Sequence, residues 1–194
     1  MTTAAAARDA DKVLSGVANM YYGAAEATKP LDSVAYDGDW GVAWTPFGFS
    51  EDGVATEKST DTEDVKASEQ VTPLNVLVTG VNVLVRITVI ESTLEFMKVA
   101  FGGGTITTQA ASTGGVIGKS TLTLGTALDR YAIGFEVENE LGFWTRMYVP
   151  KVLSVATVGT EFKLNGIRAY PIEFRAICAP DEIEVWSKTA NATS

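Results

Sequence analysis

The chain has 194 residues, with 15 basic and 24 acidic side chains for a net charge of -9, no histidine, one cysteine, and 46% apolar residues. Lacking an imidazole, it is excluded from Ser-His-Asp and Cys-His catalysis and from histidine-containing zinc, haem and iron sites, while a lone thiol, Cys178, forms no internal disulfide. A pI near 4.5 argues against a surface built to grip phosphate backbones, because that affinity comes from Lys and Arg displacing counterions.

One domain is the expectation at this length, since folding then removes roughly 70% of the unfolded chain's surface and supports a core without staples. Met1 to Lys12 is an Ala, Thr and Asp tract without the basic start and apolar centre of a signal peptide, so folding in a reducing cytosol is expected. The most apolar run, Val76 to Ile90, is short for a bilayer and is broken by Asn82 and Arg86. No membrane partner is expected.

In chain order, a weak strand is read at Val17 to Tyr22, followed by a cluster of Trp40, Trp44, Phe47 and Phe49. That cluster fits either a sugar-stacking platform or core packing, and core packing is the commoner fate of aromatics. Asp37 and Asp39 begin like a calcium loop, but Gly48 stands where the bidentate Glu is required. Ser50 to Ser68, dense in Glu, Asp, Thr and Lys, is read as a long polar loop with weak strands at Val54 to Lys58 and Asp64 to Ala67. Val83, Val85, Ile87 and Val89 then alternate on one face of a strand, opposite a mixed face of Leu84, Arg86, Thr88 and Ile90. A helix follows: Ser92 and Glu95 form an S-x-x-E capping box, Leu94, Met97 and Phe101 share a face, and Gly102-Gly103-Gly104 ends it.

Thr105 to Lys119 is read as a second long loop. Its end, Thr113 to Ser120, is one residue from a P-loop, but a strand-like Leu122-Thr123-Leu124 follows where a helix would be needed, so a plain loop entering a strand at Ser120 to Leu124 is preferred. Tyr131, Ile133, Phe135 and Val137 alternate with Ala132, Gly134, Glu136 and Glu138, and after an Asn139-Glu140-Leu141-Gly142 turn the pattern resumes through Phe143, Thr145, Met147 and Val149. This predicts an antiparallel hairpin. Glu136 and Glu138 are the best pair for glycosidase chemistry, against the simpler reading that they form the solvated side of that hairpin. Further strands are expected at Val152 to Val158, around Phe162 and Leu164, and through Tyr170, Ile172, Phe174 and Ala176; Cys178 is read as a small core residue. The sum is a mainly β fold, a β-sandwich or barrel with one flanking α-helix.

Trp40 to Gly53, with Trp44, Pro46-Phe47-Gly48-Phe49 and Glu51-Asp52-Gly53, then the strand ending at Glu91, the helix from Ser92 to Phe101, and Tyr170 to Ala176 trailed by Pro180-Asp181, occur in an order that resembles the major tail tube proteins of long-tailed, non-contractile bacteriophages. The likeness spans roughly residues 15 to 186. It implies a tail-tube-like β domain over 15-187, a flexible N-terminal arm over 1-14 and a flexible C-terminal tail over 188-194. It also implies a structural virion protein, not an enzyme and without cofactor or metal. Its subunits would form hexameric rings stacked into a tube for DNA ejection, made in the host cytoplasm and assembled into the virion tail.

Partners implied by the resemblance are further copies of itself and the tape measure, distal tail and tail terminator proteins, with DNA passing without specific binding. On this reading the 50-68 loop reaches the adjacent ring through Glu51, Asp52, Glu57, Lys58, Asp61, Glu63, Asp64 and Lys66, and Glu69, Glu136 and Glu138 are candidate lumen-facing acids. An acidic lumen would repel DNA where a basic one would hold it. The rivals are a carbohydrate-binding β-sandwich of a receptor-binding or decoration protein, using Trp40 and Trp44, and a glycoside hydrolase using Glu136 and Glu138.

Overall fold

Stretches of alternating Val, Ile, Thr and aromatic residues become the strands of one large antiparallel sheet. The computed structural model describes residues 18–65, 72, 74–91, 93–112, 115, 117–138, 142–155 and 169–187. In chain order these give β1 (Ala18–Ala24), β2 (Trp44–Pro46), β3 (Ser50–Val65), β4 (Asn75–Val89), α1 (Leu94–Ala100), β5 (Thr105–Gln109), β6 (Lys119–Thr123), β7 (Arg130–Glu138), β8 (Trp144–Ser154), β9 (Tyr170–Ala176) and β10 (Glu184–Ser187). Seven strands follow the order β2-β1-β7-β8-β9-β4-β3, and β5 with β6 makes a separate ribbon. Strand β8 serves two neighbours on one side, pairing β10 through Thr145 to Tyr148 and β9 through Val152 to Ser154.

One face of the sheet closes on a single core. Met20 of β1, Val83, Val85, Ile87 and Val89 of β4, Ile133 of β7, Val149 of β8 and Ile172 and Phe174 of β9 share it. Strands from near opposite ends of the path, β1 and β3, come into contact, so the sheet is rolled into an open barrel. Phe47, between β2 and β3, is fully buried and joins the two ends: its amide donates to the Met20 carbonyl at 2.8 Å, and its ring lies 4.7 Å from Tyr22, 6.0 Å from Phe96 and 5.9 Å from Phe174. Truncating a ring held this way costs about 3–5 kcal/mol.

Helix α1 covers the same core, with a different face from the one expected. Thr93 is its N-cap, the hydroxyl accepting from the Phe96 amide at 3.2 Å, while Ser92 lies outside the described residues. The face turned to the core is the one that carries Phe96, roughly opposite the Leu94–Met97–Phe101 stripe at about 100° per residue. Phe96, Val99 and Ala100 are therefore buried, Leu94 and Met97 are half-buried, Glu95 is exposed in the first turn, and Phe101 is an exposed C-cap.

The β7–β8 hairpin has the expected pairing, Val137 opposite Thr145 and Glu136 opposite Arg146. Its second face, expected in solvent, is instead covered by residues 25–43, whose Trp40 and the adjoining Trp44 pack against Tyr21, Ala132 and Tyr148. Likewise, the expected polar loop from Ser50 is a 16-residue strand, because the apolar β4 supplies a partner for its whole length. Part of the Thr105 to Lys119 loop is β5, paired with β6. The Phe162 and Leu164 strand and the N- and C-terminal segments 1–17 and 188–194 lie outside the described residues.

A tight turn joins β2 to β3. Gly48 has φ 69°, a conformation that L side chains rarely adopt, and the Phe49 amide donates to Glu91 Oε1 at 3.3 Å. A methyl on Gly48 would meet the Glu91 carboxyl, whereas Gly53, at φ 73°, has nothing within 4 Å. Gly48→Ala is therefore expected to lower the stability measured by urea unfolding by about 1–3 kcal/mol, combining left-handed strain with a displaced carboxylate, and Gly53→Ala to lose only the strain component.

Candidate assembly surface

Beyond the barrel, β3 and the first half of β4 project as a two-stranded arm. Among the described strands β3 pairs only with β4, and Asn75 to Val83 pair only with β3, so the arm carries two unpaired edges. Opposed residues of an antiparallel pair share a face. On the core side this sets Ile87 with Val54, Val85 with Thr56, Val83 with Lys58, Val81 with Thr60, Val78 with Thr62 and Val76 with Asp64. A bulge between Asp61 and Thr62 leaves Thr79 as the extra residue and preserves that face.

The result is a single apolar stripe that changes environment along its length. It is core at Val83 and Val85, half-buried at Val81, and open at Val78 and Val76, which are 63% and 51% exposed. The other side of the arm adds Leu77, and Leu74 stands just before β4 near the tip, both about half exposed. At the opposite end of the sheet, where β4 and β8 finish, Phe49, Leu124, Leu128 and Val155 form a second set of exposed apolar side chains. Both ends thus carry exposed apolar groups, and Leu31, Val42, Ile117 and Val185 are further exposed apolar side chains.

The residues expected to reach a neighbouring ring lie mostly on this arm. Glu51, Lys58, Asp61, Glu63 and Asp64 are exposed along β3, Asp52 is on the same strand, and Lys66 lies outside the described residues. Glu57 points to the outer face, where its carboxylate receives Arg86 Nη1 at 2.6 Å. They belong to a strand rather than a loop.

The candidate lumen acids fare differently. Glu69 lies outside the described residues and Glu138 is half-buried at the end of β7, but Glu136 is fully buried and presents no carboxylate to a lumen or a substrate. Its Oε2 receives Arg146 Nε at 2.7 Å, and its Oε1 receives the Asp37 amide at 2.7 Å and the Tyr21 hydroxyl at 3.3 Å. Arg146, equally buried, donates from Nη2 to the Ala35 carbonyl at 2.7 Å and lies 4.1 Å from the Trp144 ring centre. The pair sits beneath residues 25–43, which tie themselves down further through Trp44 Nε1 to the Thr28 carbonyl and the Tyr148 hydroxyl to the Ala27 carbonyl.

Other sequence candidates resolve in the same way. Trp40 stacks on Tyr21 at 4.4 Å and meets Trp44 edge-on at 5.2 Å, with both indoles more than nine-tenths buried, so they form core and not a sugar platform. Lys119 and Ser120 of the P-loop-like segment open strand β6, with no helix end to receive phosphate. Cys178 is half-buried, and burial raises its thiol pKa. Among the described residues no cluster of acids and thiol could hold a metal ion, and no helix is long and apolar enough to cross a membrane.

A family described as phage tail tube protein matches residues 5–190. The chain belongs to the phage tail tube protein family. It is therefore a structural component of the virion tail. No curated protein matches it. Among solved structures, a chain of the six-fold symmetrised cryo-electron microscopy structure of the anti-feeding prophage baseplate is similar, with TM-score 0.44 and 12% identity over 90% of this chain and 95% of that one.

Two expectations follow for the buried cluster of this tail tube protein. Glu136→Gln leaves a buried guanidinium without its counter-charge and is expected to cost about 3–5 kcal/mol in urea unfolding. Burial, and then the Glu136 charge, push the Tyr21 phenol above its ordinary value of 10.0, and burial also raises Tyr22, Tyr36, Tyr131 and Tyr148. A raised phenol keeps its proton in the fold after the unfolded chain has lost it, so its contribution is intact below pH 10.0 and falls as pH rises beyond it. Unfolding midpoints should drop from about pH 10 upward, less steeply in Tyr21→Phe.

Proposed function

We propose that this protein closes into hexameric rings through its β3–β4 arm and that the rings stack head to tail into a tube through which DNA leaves the virion. The observation that carries this reading is the Val83 to Val76 stripe, core at one end and uncovered at the other. A two-stranded ribbon with exposed apolar side chains is at best marginal alone in water and gains stability only when something covers it.

Strand polarity supports the same arrangement. Because β3 and β4 run in opposite directions, the free β3 edge of one copy meets the free β4 edge of an identically oriented neighbour in antiparallel register. Rotation about a ring axis repeats that contact until it closes, and closure removes the exposed edges. Stacking uses two different surfaces, the arm end and the Phe49–Val155 end, so it does not close and can extend as a filament.

In this role the chain is structural rather than catalytic, with other copies of itself and the tape measure, distal tail and terminator proteins as partners. Glu138 and Glu69 remain proposed lumen acids. The arm is tested by V76D/V78D, which places charges on the exposed part of the stripe. The variant should keep the far-ultraviolet circular dichroism and urea midpoint of the parent while forming no rings or tubes by negative-stain electron microscopy. Tubes indistinguishable from those of the parent would overturn the role of the arm.

A further inference from the structure

Among the described residues, the sheet has one face left uncovered. Its concave side is filled by the core, and the outer side of β1, β7 and β8 lies beneath residues 25–43. Among the described residues this leaves the outer side of β9, β4 and β3. Register puts Leu84, Arg86 and Thr88 of β4 there, with Ala55 and Glu57 from β3 and Pro171, Glu173 and Arg175 from β9. The mixture is that of a surface facing water, unlike the valines on the arm's other side.

Two arginines on an uncovered sheet are unexpected in a protein of net charge -9 that would stand beside DNA. Arg86 is 45% exposed in its side chain and borders an open groove of about 360 Å³ between β3, β4 and β9. A guanidinium beside such a groove is well suited to bind phosphate, because its planar fork matches two phosphate oxygens. Both edges of the fork are already taken. Nη1 donates to Glu57 Oε2 at 2.6 Å and Nε to Glu173 Oε2 at 2.5 Å, from the strands on either side. Arg175 is engaged at its Nη2 by Asn82 Oδ1 at 2.5 Å.

We infer that Glu57 and Glu173 mask Arg86, so that the open face of β9, β4 and β3 is a wall past which DNA slides without adhering. The assignment rests on the conduit reading above and names the face that the reading requires. Arg86 is what allows two carboxylates to flank one strand without repelling each other, and it ties three strands together through side chains. Across the face Glu57, Glu173 and Asp61 outnumber Arg86 and Arg175, so phosphate still meets an excess of carboxylate. Asp61, whose carboxylate lies over Gly80 on the same face, extends that sign toward the arm.

The test compares the full-length parent with E57Q/E173Q and E57Q/E173Q/R86Q, using fluorescence anisotropy of a short random-sequence DNA duplex across a salt series. The parent should not bind. E57Q/E173Q, which keeps the shape of the face and frees the guanidinium, should bind on the order of tenfold or more tightly at low salt, with affinity falling as salt rises, and the triple variant should lose most of that gain. A folded E57Q/E173Q that binds no better than the parent, or a triple variant that binds as well as the double, overturns the mask. Should the double variant fail to fold, E57Q alone frees Nη1 and carries the same test with a smaller gain. Electron microscopy of the same samples separates the two readings: DNA binding gained without tubes in the parent overturns the conduit, and tubes without gained binding overturn the mask.

Discussion

The fold turns on burying both faces of β7 and β8, and the Glu136–Arg146 pair is what makes the second burial specific. Two charges without exposure are expensive to desolvate, and their attraction offsets that cost only with excellent geometry and further hydrogen bonds around the pair. Here the carboxylate takes the Asp37 amide and Tyr21 hydroxyl and the guanidinium gives to the Ala35 carbonyl, so these partners outside the pair belong to the covering segment or to the strand beside it. An apolar pair of the same volume would bury as much surface without distinguishing one placement of residues 25–43 from another. The ionic pair accepts one, with Asp37 held at φ 56° so that its amide points inward and Trp40 pressed against Gly134, where even a methyl would collide with the indole.

Closing that face decides where the molecule can meet anything else. With the barrel interior filled and the tryptophan side sealed, the open surfaces among the described residues include the β9–β4–β3 face, the arm and the opposite end of the sheet, beside single exposed apolar residues such as Leu31, Val42 and Val185. They divide by chemistry: valines and leucines at the ends and along the arm, and a lattice of paired charges on the face between them. Apolar area seeks another protein surface, while paired charges with an acidic excess do not hold a polyanion. A subunit of the proposed conduit needs this division, since the surfaces that bind neighbours must not be the surfaces that line the passage.

Much of this is legible in the sequence where alternation records burial within one chain. The β7–β8 hairpin, the Val83 to Val89 half of β4 and the Tyr170 to Ala176 strand each show it, because one face of each meets the core. Strand β3 does not, since most of its length is exposed on both faces in the single subunit and nothing in Glu57, Lys58, Ser59, Thr60 and Asp61 reports a partner strand. Glu136 misleads for a related reason: alternation says which residues share a face but not what covers that face, and the covering residues lie about a hundred positions upstream. The Ser92 capping box misplaces the N-cap by one residue, and periodicity alone does not choose between the Leu94–Met97–Phe101 face and the Phe96–Val99–Ala100 face of so short a helix. Trp40, Trp44 and Phe47 are weighted toward the core by size and apolarity alone, and the core is where they lie.

The arm shows how assembly and stability are shared in such a subunit. Its bulge at Thr79 and the charged side chains along its outer strand are features by which natural sheets blunt an open edge. Those same features make the arm's own contribution to the isolated fold small, so the free energy from covering Val76 and Val78 is realised only at the contact. In the proposed ring, closure would have a large return for the last subunit, which covers two arms' worth of edge where the first covered none. In the proposed assembly, a stripe that is core at Val83 and uncovered at Val76 passes from folding to assembly without a change of chemistry, and the boundary between the two lies at the residue where the subunit's own side chains run out.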